Sequence, residues 1–269
     1  RQCSDYLVSL GVARREIRTA FRRALDEQRA FARQLRELNG GILRRSRDAG
    51  RLTLLVAGRP YHADPLIQHK IAEMVAGMGV DVITDDIVRG ENISTADTHY
   101  VAQWAYANRI LRAAAWASRQ DRNVQFVELT SFGCGPDALL TDEVRDLLGR
   151  HGKSLTLLKI DDVSNTGSLK LRIRSLIESL KLGHASQAAP RPFVTTPDFG
   201  ERDRKRKILV PFFTPFISPL IPALLKRAGY EAENLPMSTQ ASVESGLRYA
   251  NNEICYPATL IVGDIVNAL

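Results

Sequence analysis

The sequence contains few cysteines, and their number and spacing exclude several kinds of site. Among its 269 residues there are only three, Cys3, Cys134 and Cys255. An odd number at such wide spacing is not typical of a disulfide framework. No Cys-x-x-Cys pair and no zinc-finger spacing is present, so a self-contained zinc site is not expected. The cysteine usage instead predicts a reducing, cytoplasmic location.

The chain also lacks long apolar runs and the common nucleotide-binding motifs. No run reaches the roughly eighteen apolar residues of a membrane-spanning helix, and no secretion signal is evident. Neither GxxxxGKS/T nor GxGxxG follows a predicted strand, so no P-loop or dinucleotide-binding turn is expected. We therefore expect no contact with a membrane.

Positive charge is in moderate excess, with a formal net charge of +7. Much of it lies in two stretches, residues 14–51 and residues 202–207. Neither stretch has the interleaved aromatic residues of a base-stacking surface, so no nucleic-acid partner is expected. A solvated helix face and a linker explain the charge, and an anionic ligand such as a CoA ester or a nucleotide is the alternative.

Apolar periodicity predicts an α/β protein. Residues 5–47 have the three- and four-residue spacing of a helix, which we expect Gly40-Gly41 to interrupt or end. From residue 51 onward, short apolar strands alternate with helices. This alternation is typical of a doubly wound parallel sheet, here a Rossmann-like or flavodoxin-like domain. In such sheets ligands bind beyond the carboxyl ends of the strands.

The same pattern restarts near the end of the chain. A proline-containing linker precedes Lys207-Ile208-Leu209-Val210, which is predicted to begin a second, truncated α/β unit. Because the chain begins with Arg1 and ends inside a predicted helix, we expect it to be part of a longer, multidomain protein. The predicted organisation is a helical segment, a first α/β domain, a linker and the second unit, at residues 1–50, 51–183, 184–206 and 207–269.

Cys134 is the first candidate ligand, because it lies between a predicted strand and a predicted helix. Pro136 suits the first helical position, and Gly133 and Gly135 allow close approach of the backbone. The carboxyl end of a strand and the positive end of a helix both favour a thiolate or an anionic cluster. The alternative is a free cysteine that serves as a small buried apolar residue.

Cys255 repeats this arrangement, since it also stands two residues before a proline, Pro257, that opens a predicted helix. Two cysteines in the same setting, one in each unit, indicate a shared metal site, and thiolates suit iron–sulfur clusters. Two thiolates do not complete a four-iron site, so further ligands must come from elsewhere. Cys3, near the start of the chain, is interpreted as incidental.

Gly58-Arg59-Pro60-Tyr61-His62 leaves the first predicted strand at its carboxyl end. Arg59 is a candidate for binding a phosphate or carboxylate through two hydrogen bonds. His62 is a candidate proton donor, or a residue that supports other site groups. The alternative is a tight turn that uses proline for its geometry.

Several motifs together resemble the large acyl-CoA dehydratase activase-related proteins, which are long bacterial CoA-substrate-specific enzyme activases. These proteins look like fusions of ATPase activator modules with regions similar to 2-hydroxyglutaryl-CoA dehydratase subunits. The resemblance extends over residues 51–269 and depends on motifs at residues 58–62, 131–138, 158–165, 172–176 and 251–257.

The resemblance implies an iron–sulfur cluster of the 4Fe–4S type, held here by Cys134 and Cys255. It also implies a partner, an ATP-hydrolysing activator module that passes an electron at low potential, and in the dehydratases that electron reaches a 2-hydroxyacyl-CoA. This chain lacks the phosphate motifs of the ATPase module, so ATP is expected to act only through that partner. Two alternatives remain open: a non-catalytic structural or docking segment, and a flavodoxin-like ligand-binding module.

Overall fold

The computed structural model describes residues 2–99, 103–131, 135–160, 166–182, 191–251 and 254–269. Gly133 and Cys134 lie outside these residues. Within the described part the chain forms α-helices, short strands and three 3-10 turns, the latter at Pro60–Ala63, Asp85–Val88 and Glu201–Lys205.

A four-stranded parallel sheet organises the first unit. Its strands are β1 (Thr53–Ala57), β2 (Asp81–Thr84), β3 (Val124–Thr130) and β4 (Thr156–Lys159). Their order is β2-β1-β3-β4, and every neighbouring pair is parallel. This confirms the predicted α/β fold. The order matches the first four strands of a flavodoxin-like sheet, whose topological switch point, the usual ligand site, lies between β1 and β3.

Helices cover both faces of this sheet. On one face lie α3 (Ile71–Ala76) and α6 (Thr166–Lys181), and on the other lie α4 (Ala105–Ser118) and α5 (Gly135–Arg150). Strand β3 is buried along its whole length, so alternate side chains such as Phe126 and Val127 enter opposite cores. Burial on both faces is the reason that its sequence is a nearly continuous apolar run.

Two helices, α1 (Gln2–Ser9) and α2 (Arg14–Asp48), precede the sheet. The predicted interruption at Gly40-Gly41 is wrong, because α2 continues through both glycines. Asn39 and Leu43, on either side of the pair, are buried against the sheet domain, and Asn39 Oδ1 accepts the Thr84 N–H at 2.7 Å. These tertiary contacts outweigh the cost of about 1 kcal/mol for each helical glycine.

The predicted second α/β unit is also present. It contains the parallel strands β5 (Ile208–Val210) and β6 (Ala232–Asn234), with helices α7 (Leu220–Arg227), α8 (Gln240–Tyr249) and α9 (Tyr256–Ala268). Helices α8 and α9 cross at two glycines. A Cβ atom on Gly263 would lie 1.8 Å from the Ser242 carbonyl oxygen, and one on Gly246 would lie 2.2 Å from that of Thr259. Only glycine permits this close crossing.

No helix among the described residues combines the length and apolar character needed to cross a membrane.

Candidate functional site

An ion pair joins the carboxyl ends of β1 and β3 at the switch point. Arg59 follows β1, and Asp137 lies in the first turn of α5, which follows β3. Arg59 Nε donates to Asp137 Oδ2 at 3.1 Å, and its Nη2 pairs with the other carboxylate oxygen. Because this guanidinium already binds a carboxylate through two bonds, the predicted role of Arg59 as a ligand clamp requires breaking the pair. In the structure Arg59 neutralises and orients Asp137.

His62 lies beneath this ion pair and is only 4% exposed. Its Nδ1 accepts the Arg59 N–H at 3.1 Å, so in the neutral ring Nε2 carries the proton and donates it to Ser131 Oγ, 2.8 Å away. Burial lowers the pKa of His62 to about 4; Asp137 opposes this shift and Arg59 adds to it. His62 is therefore neutral at pH 7, and it positions Ser131 instead of accepting its proton.

Gly58 permits this arrangement because the turn after β1 presses against β3. A Cβ atom at residue 58 would lie 2.7 Å from His62 Nδ1 and 3.2 Å from the Leu129 carbonyl oxygen. A larger residue would displace either the imidazole or the end of β3. Glycine at this position thus lets His62 reach Ser131 under the ion pair.

Cys255 approaches the same region from the second unit. It is the N-cap residue of α9, with Pro257 in the first turn as predicted, and it is partly buried. Its Sγ lies against Gly135, the first residue of α5, where a Cβ atom would be 3.3 Å away. The sulfur is thus close to the amino ends of two helices. The first N–H groups of a helix carry partial positive charge, which favours a negatively charged group such as a metal cluster nearby.

A hydrogen bond also ties the segment before Cys255 to the first unit. Asn251 Nδ2 donates to Asp142 Oδ2 at 2.6 Å, and Asp142 lies two turns along α5 from Gly135. Helix α5 therefore contacts the Cys255 turn at two points. This double contact fixes where the second unit meets the switch point.

The predicted site residues that the structure describes fall into one region. Arg59, His62, Gly135 and Pro136 lie at the switch point, and Cys255 faces them with Pro257 in the turn that follows. Cys134 and Gly133 lie outside the described residues, and Ser131 and Gly135 are the described residues on either side of this gap. Ser131 binds His62, and Gly135 contacts Cys255 Sγ. A shared metal site between Cys134 and Cys255 stays a prediction.

Glu128 is a site residue that the sequence analysis missed. It is 2% exposed near the end of β3, and its Oε1 accepts a hydrogen bond from Thr141 Oγ1 at 3.2 Å. Its Oε2 has no hydrogen-bond partner among the described residues. Burial raises the pKa of Glu128 to about 8, with a smaller raising effect from Asp137, so the carboxyl is largely protonated at pH 7. An acidic residue inside an apolar strand was the available signal.

The described residues alone do not form a metal site. Among them, no group of three or more His, Cys, Asp and Glu side chains is placed to hold a metal ion. A centre at Cys255 would therefore need ligands from the remaining residues or from another chain.

Residues 1–88 match a family model described as the CoA enzyme activase uncharacterised domain. This first part of the chain is thus similar to a domain described for CoA enzyme activases. The matched region contains α1, α2, β1, α3 and β2, and it ends at Val88, the last residue of the second 3-10 turn. This match confirms the predicted resemblance to acyl-CoA dehydratase activase-related proteins, and of the predicted stretch, residues 51–269, it covers residues 51–88. No curated protein and no solved structure matches the chain significantly.

Proposed function

We propose that this chain is the cluster-bearing region of a 2-hydroxyacyl-CoA dehydratase/activase-like protein, in which Cys134 and Cys255 bind an iron–sulfur cluster of the 4Fe–4S type. One observation carries the proposal: Cys255 Sγ lies against Gly135, the residue directly after Cys134. The CoA enzyme activase match of residues 1–88 supports the class of protein. When bound, such a cluster supplies one-electron transfer at low potential.

The residues around the two cysteines suit this group. Thiolates are the usual protein ligands of iron–sulfur clusters, and nearby helix amino ends stabilise their negative charge. Asp137 adds a negative charge nearby, and the ion pair with Arg59 offsets it. The other ligands are proposed to come from outside the described residues or from another subunit.

The proposed partner is an ATP-hydrolysing activator module that delivers the electron. This chain contains neither a P-loop nor a dinucleotide-binding turn, so the nucleotide chemistry is assigned to the partner. A 2-hydroxyacyl-CoA is the proposed final acceptor, in a protein that works in the reducing cytoplasm. Cluster binding does not require that the lyase reaction of the dehydratases, the loss of water from the 2-hydroxyacyl-CoA, takes place on this chain.

Anaerobic reconstitution with iron and sulfide tests the proposal. The wild-type chain should gain broad brown visible absorbance and bound iron, and Cys134→Ser and Cys255→Ser should each lose most of both. Cys3→Ser is the matched control, because it removes a thiol from the exposed first helix and should leave the absorbance unchanged. Equal iron content in all four proteins would overturn the proposal.

The strand order supports a second candidate function, a flavodoxin-like ligand-binding module. A β2-β1-β3-β4 sheet places a crevice at the carboxyl ends of β1 and β3, where this fold class binds ligands. Titration with flavin mononucleotide and adenine nucleotides distinguishes the candidates. Binding that persists in the Cys134→Ser/Cys255→Ser double variant favours the ligand-binding module.

A further inference from the structure

The apolar residues of α2 recur with the seven-residue period of a coiled coil. Alternate steps of four and three residues connect a set that we call the seam: Ile17, Phe21, Ala24, Gln28, Phe31, Leu35 and Leu38. All but one are apolar, and the set extends over about three heptads. Such a period is typical of helices that pack side by side along their length.

Most of the seam is uncovered. The side chains of Phe21, Phe31 and Leu38 are 63%, 53% and 59% exposed. The buried residues of α2, namely Asn39, Leu43 and Ser46, all follow Leu38, the last residue of the seam. Helix α1 lies beside the first part of the seam and leaves an open apolar cleft of about 620 Å³. Amphipathic helices owe most of their stability to packing of the apolar face, so a helix about 50 Å long with a bare seam lacks a partner.

Charge does not oppose pairing of two identical seams. The flanking positions are almost uncharged, with one Arg and one Glu among six: Arg18, Ala20, Leu25, Glu27, Ala32 and Gln34. Most of the arginines of α2, among them Arg22, Arg29 and Arg33, occupy the outer positions of the heptad. In a parallel, in-register pair of helices, a residue on one flank of the seam faces a residue of the following heptad on the partner. Glu27 therefore lies opposite Ala32 of the partner, and no like charges meet across the seam.

Gln28 identifies the partner that fits best. It is the one polar residue of the seam, and its amide can both donate and accept hydrogen bonds. Opposite an apolar side chain the amide would be buried without partners, which is unfavourable. Opposite Gln28 of a second copy the two amides can bond to each other, as single polar residues do in the cores of coiled coils.

We propose that the seam pairs with the same seam of a second copy of this chain, side by side, parallel and in register. The inference goes beyond the proposed function, because it uses neither the cysteines nor the switch point. A helix from another protein is the competing occupant, and it predicts that the isolated chain is monomeric.

Sedimentation equilibrium of the full chain tests the proposal. The wild type should have the mass of a dimer, and Phe21→Glu and Phe31→Glu should each weaken association by about 10-fold or more, because each buries a charge in the apolar seam. Thr19→Glu makes the same kind of change on the outer face and should remain dimeric. Circular dichroism establishes that all four proteins are folded. A wild-type monomer at every concentration, or a dimer that both seam variants leave intact, would overturn the proposal.

Cross-linking tests the register. In a Cys3→Ser background, Gln28→Cys should form a disulfide-linked dimer under mild oxidation, whereas the Cys3→Ser parent should not. A dimer by mass that forms no additional disulfide would contradict the parallel, in-register arrangement.

Discussion

Each α/β unit has a Cys-x-Pro sequence at the start of a helix, but the two units support these helices differently. In the first unit, the central strands β1 and β3 are buried between helical layers, and side chains such as Leu54 and Val127 are fully buried. In the second unit two strands are only partly buried, and large apolar side chains such as Phe216 and Leu224 are 86% and 66% exposed. A similar local sequence is thus supported by an extensive hydrophobic core in the first unit and by a small one in the second.

This difference in burial indicates which contacts hold the residues next to each cysteine in place. The end of β3 and Ser131 are held through β1, by the contacts of Gly58 and His62. The Cys255 turn is held by the α8–α9 crossing and by the hydrogen bond from Asn251 to Asp142. Disruption of the first set should destabilise the first unit. Disruption of the second should move Cys255 and leave the first unit folded.

The largest effect is expected from Gly263→Ala. Its Cβ atom would fall 1.8 Å from the Ser242 carbonyl oxygen, so α8 and α9 must separate. We expect a loss of more than about 3 kcal/mol in the stability of this helix pair, because backbone cannot move aside as a flexible side chain can. Hydrogen exchange should show faster exchange over residues 240–268 and little change in β1 and β3. Gly149→Ala, whose Cβ would meet among the described residues only an Arg191 side-chain atom at 3.8 Å, is the control. If residues 240–268 exchanged their amide hydrogens equally slowly in both variants, the prediction would be wrong.

Glu128→Gln tests the buried carboxyl of the first unit. With its pKa raised to about 8, Glu128 keeps its proton in the folded state after the unfolded chain has lost it, so stability falls as pH rises from about 4.5 to about 8. Glutamine has no proton to lose, so the variant should not lose stability over this pH range. Urea unfolding should give nearly equal free energies for the variant and the wild type near pH 5. The variant should be more stable by roughly 3 kcal/mol at pH 8. Glu73→Gln, at an exposed position on α3, is the control, and a difference that does not depend on pH would contradict the prediction.

Gly58→Ala should destabilise the first unit more moderately. The added methyl group would lie 2.7 Å from His62 Nδ1, and the imidazole can move only by giving up its bond to Ser131. We expect a loss of about 1–3 kcal/mol in the free energy of unfolding, measured with urea. If the imidazole moves, the variant should also bind less iron, since Cys134 follows Ser131 closely in the sequence. Stability equal to that of the wild type would show that the turn adapts freely.

The regular elements of the first unit could be predicted because their signals are local. A run such as Val124 to Thr130 is apolar because both faces of the strand are buried. The error at Gly40-Gly41 has a non-local cause, since α2 continues there only because Asn39 and Leu43 pack on the sheet domain. The helix propensity of single residues does not take account of that contact.

The candidate site was predictable in part for the same reason. Cysteine, glycine and proline before a helix form a local motif, and both motifs were recognised. The pairs of Arg59 with Asp137 and of His62 with Ser131 join residues 78 and 69 positions apart. They depend on β1 and β3 being neighbours, and the strand order could not be derived from periodicity. Glu128 was missed because a strand buried on both faces gives no alternation that shows which way a side chain points.

The smallest effect is expected where the two units meet. Gly135→Ala places a methyl group 3.3 Å from Cys255 Sγ, a contact tight enough to shift the sulfur by a few tenths of an ångström. Such a shift should leave the stability of both units nearly unchanged, yet it should lower the yield of reconstituted cluster if that sulfur binds iron. Iron content and visible absorbance, measured with a urea titration, separate these two effects. Gly149→Ala in the same helix has room for its methyl group and should assemble like the wild type. Full assembly in Gly135→Ala would mean that Cys255 Sγ turns away from Gly135 when iron is bound, and the shared site would then have to lie on another side of the cysteine.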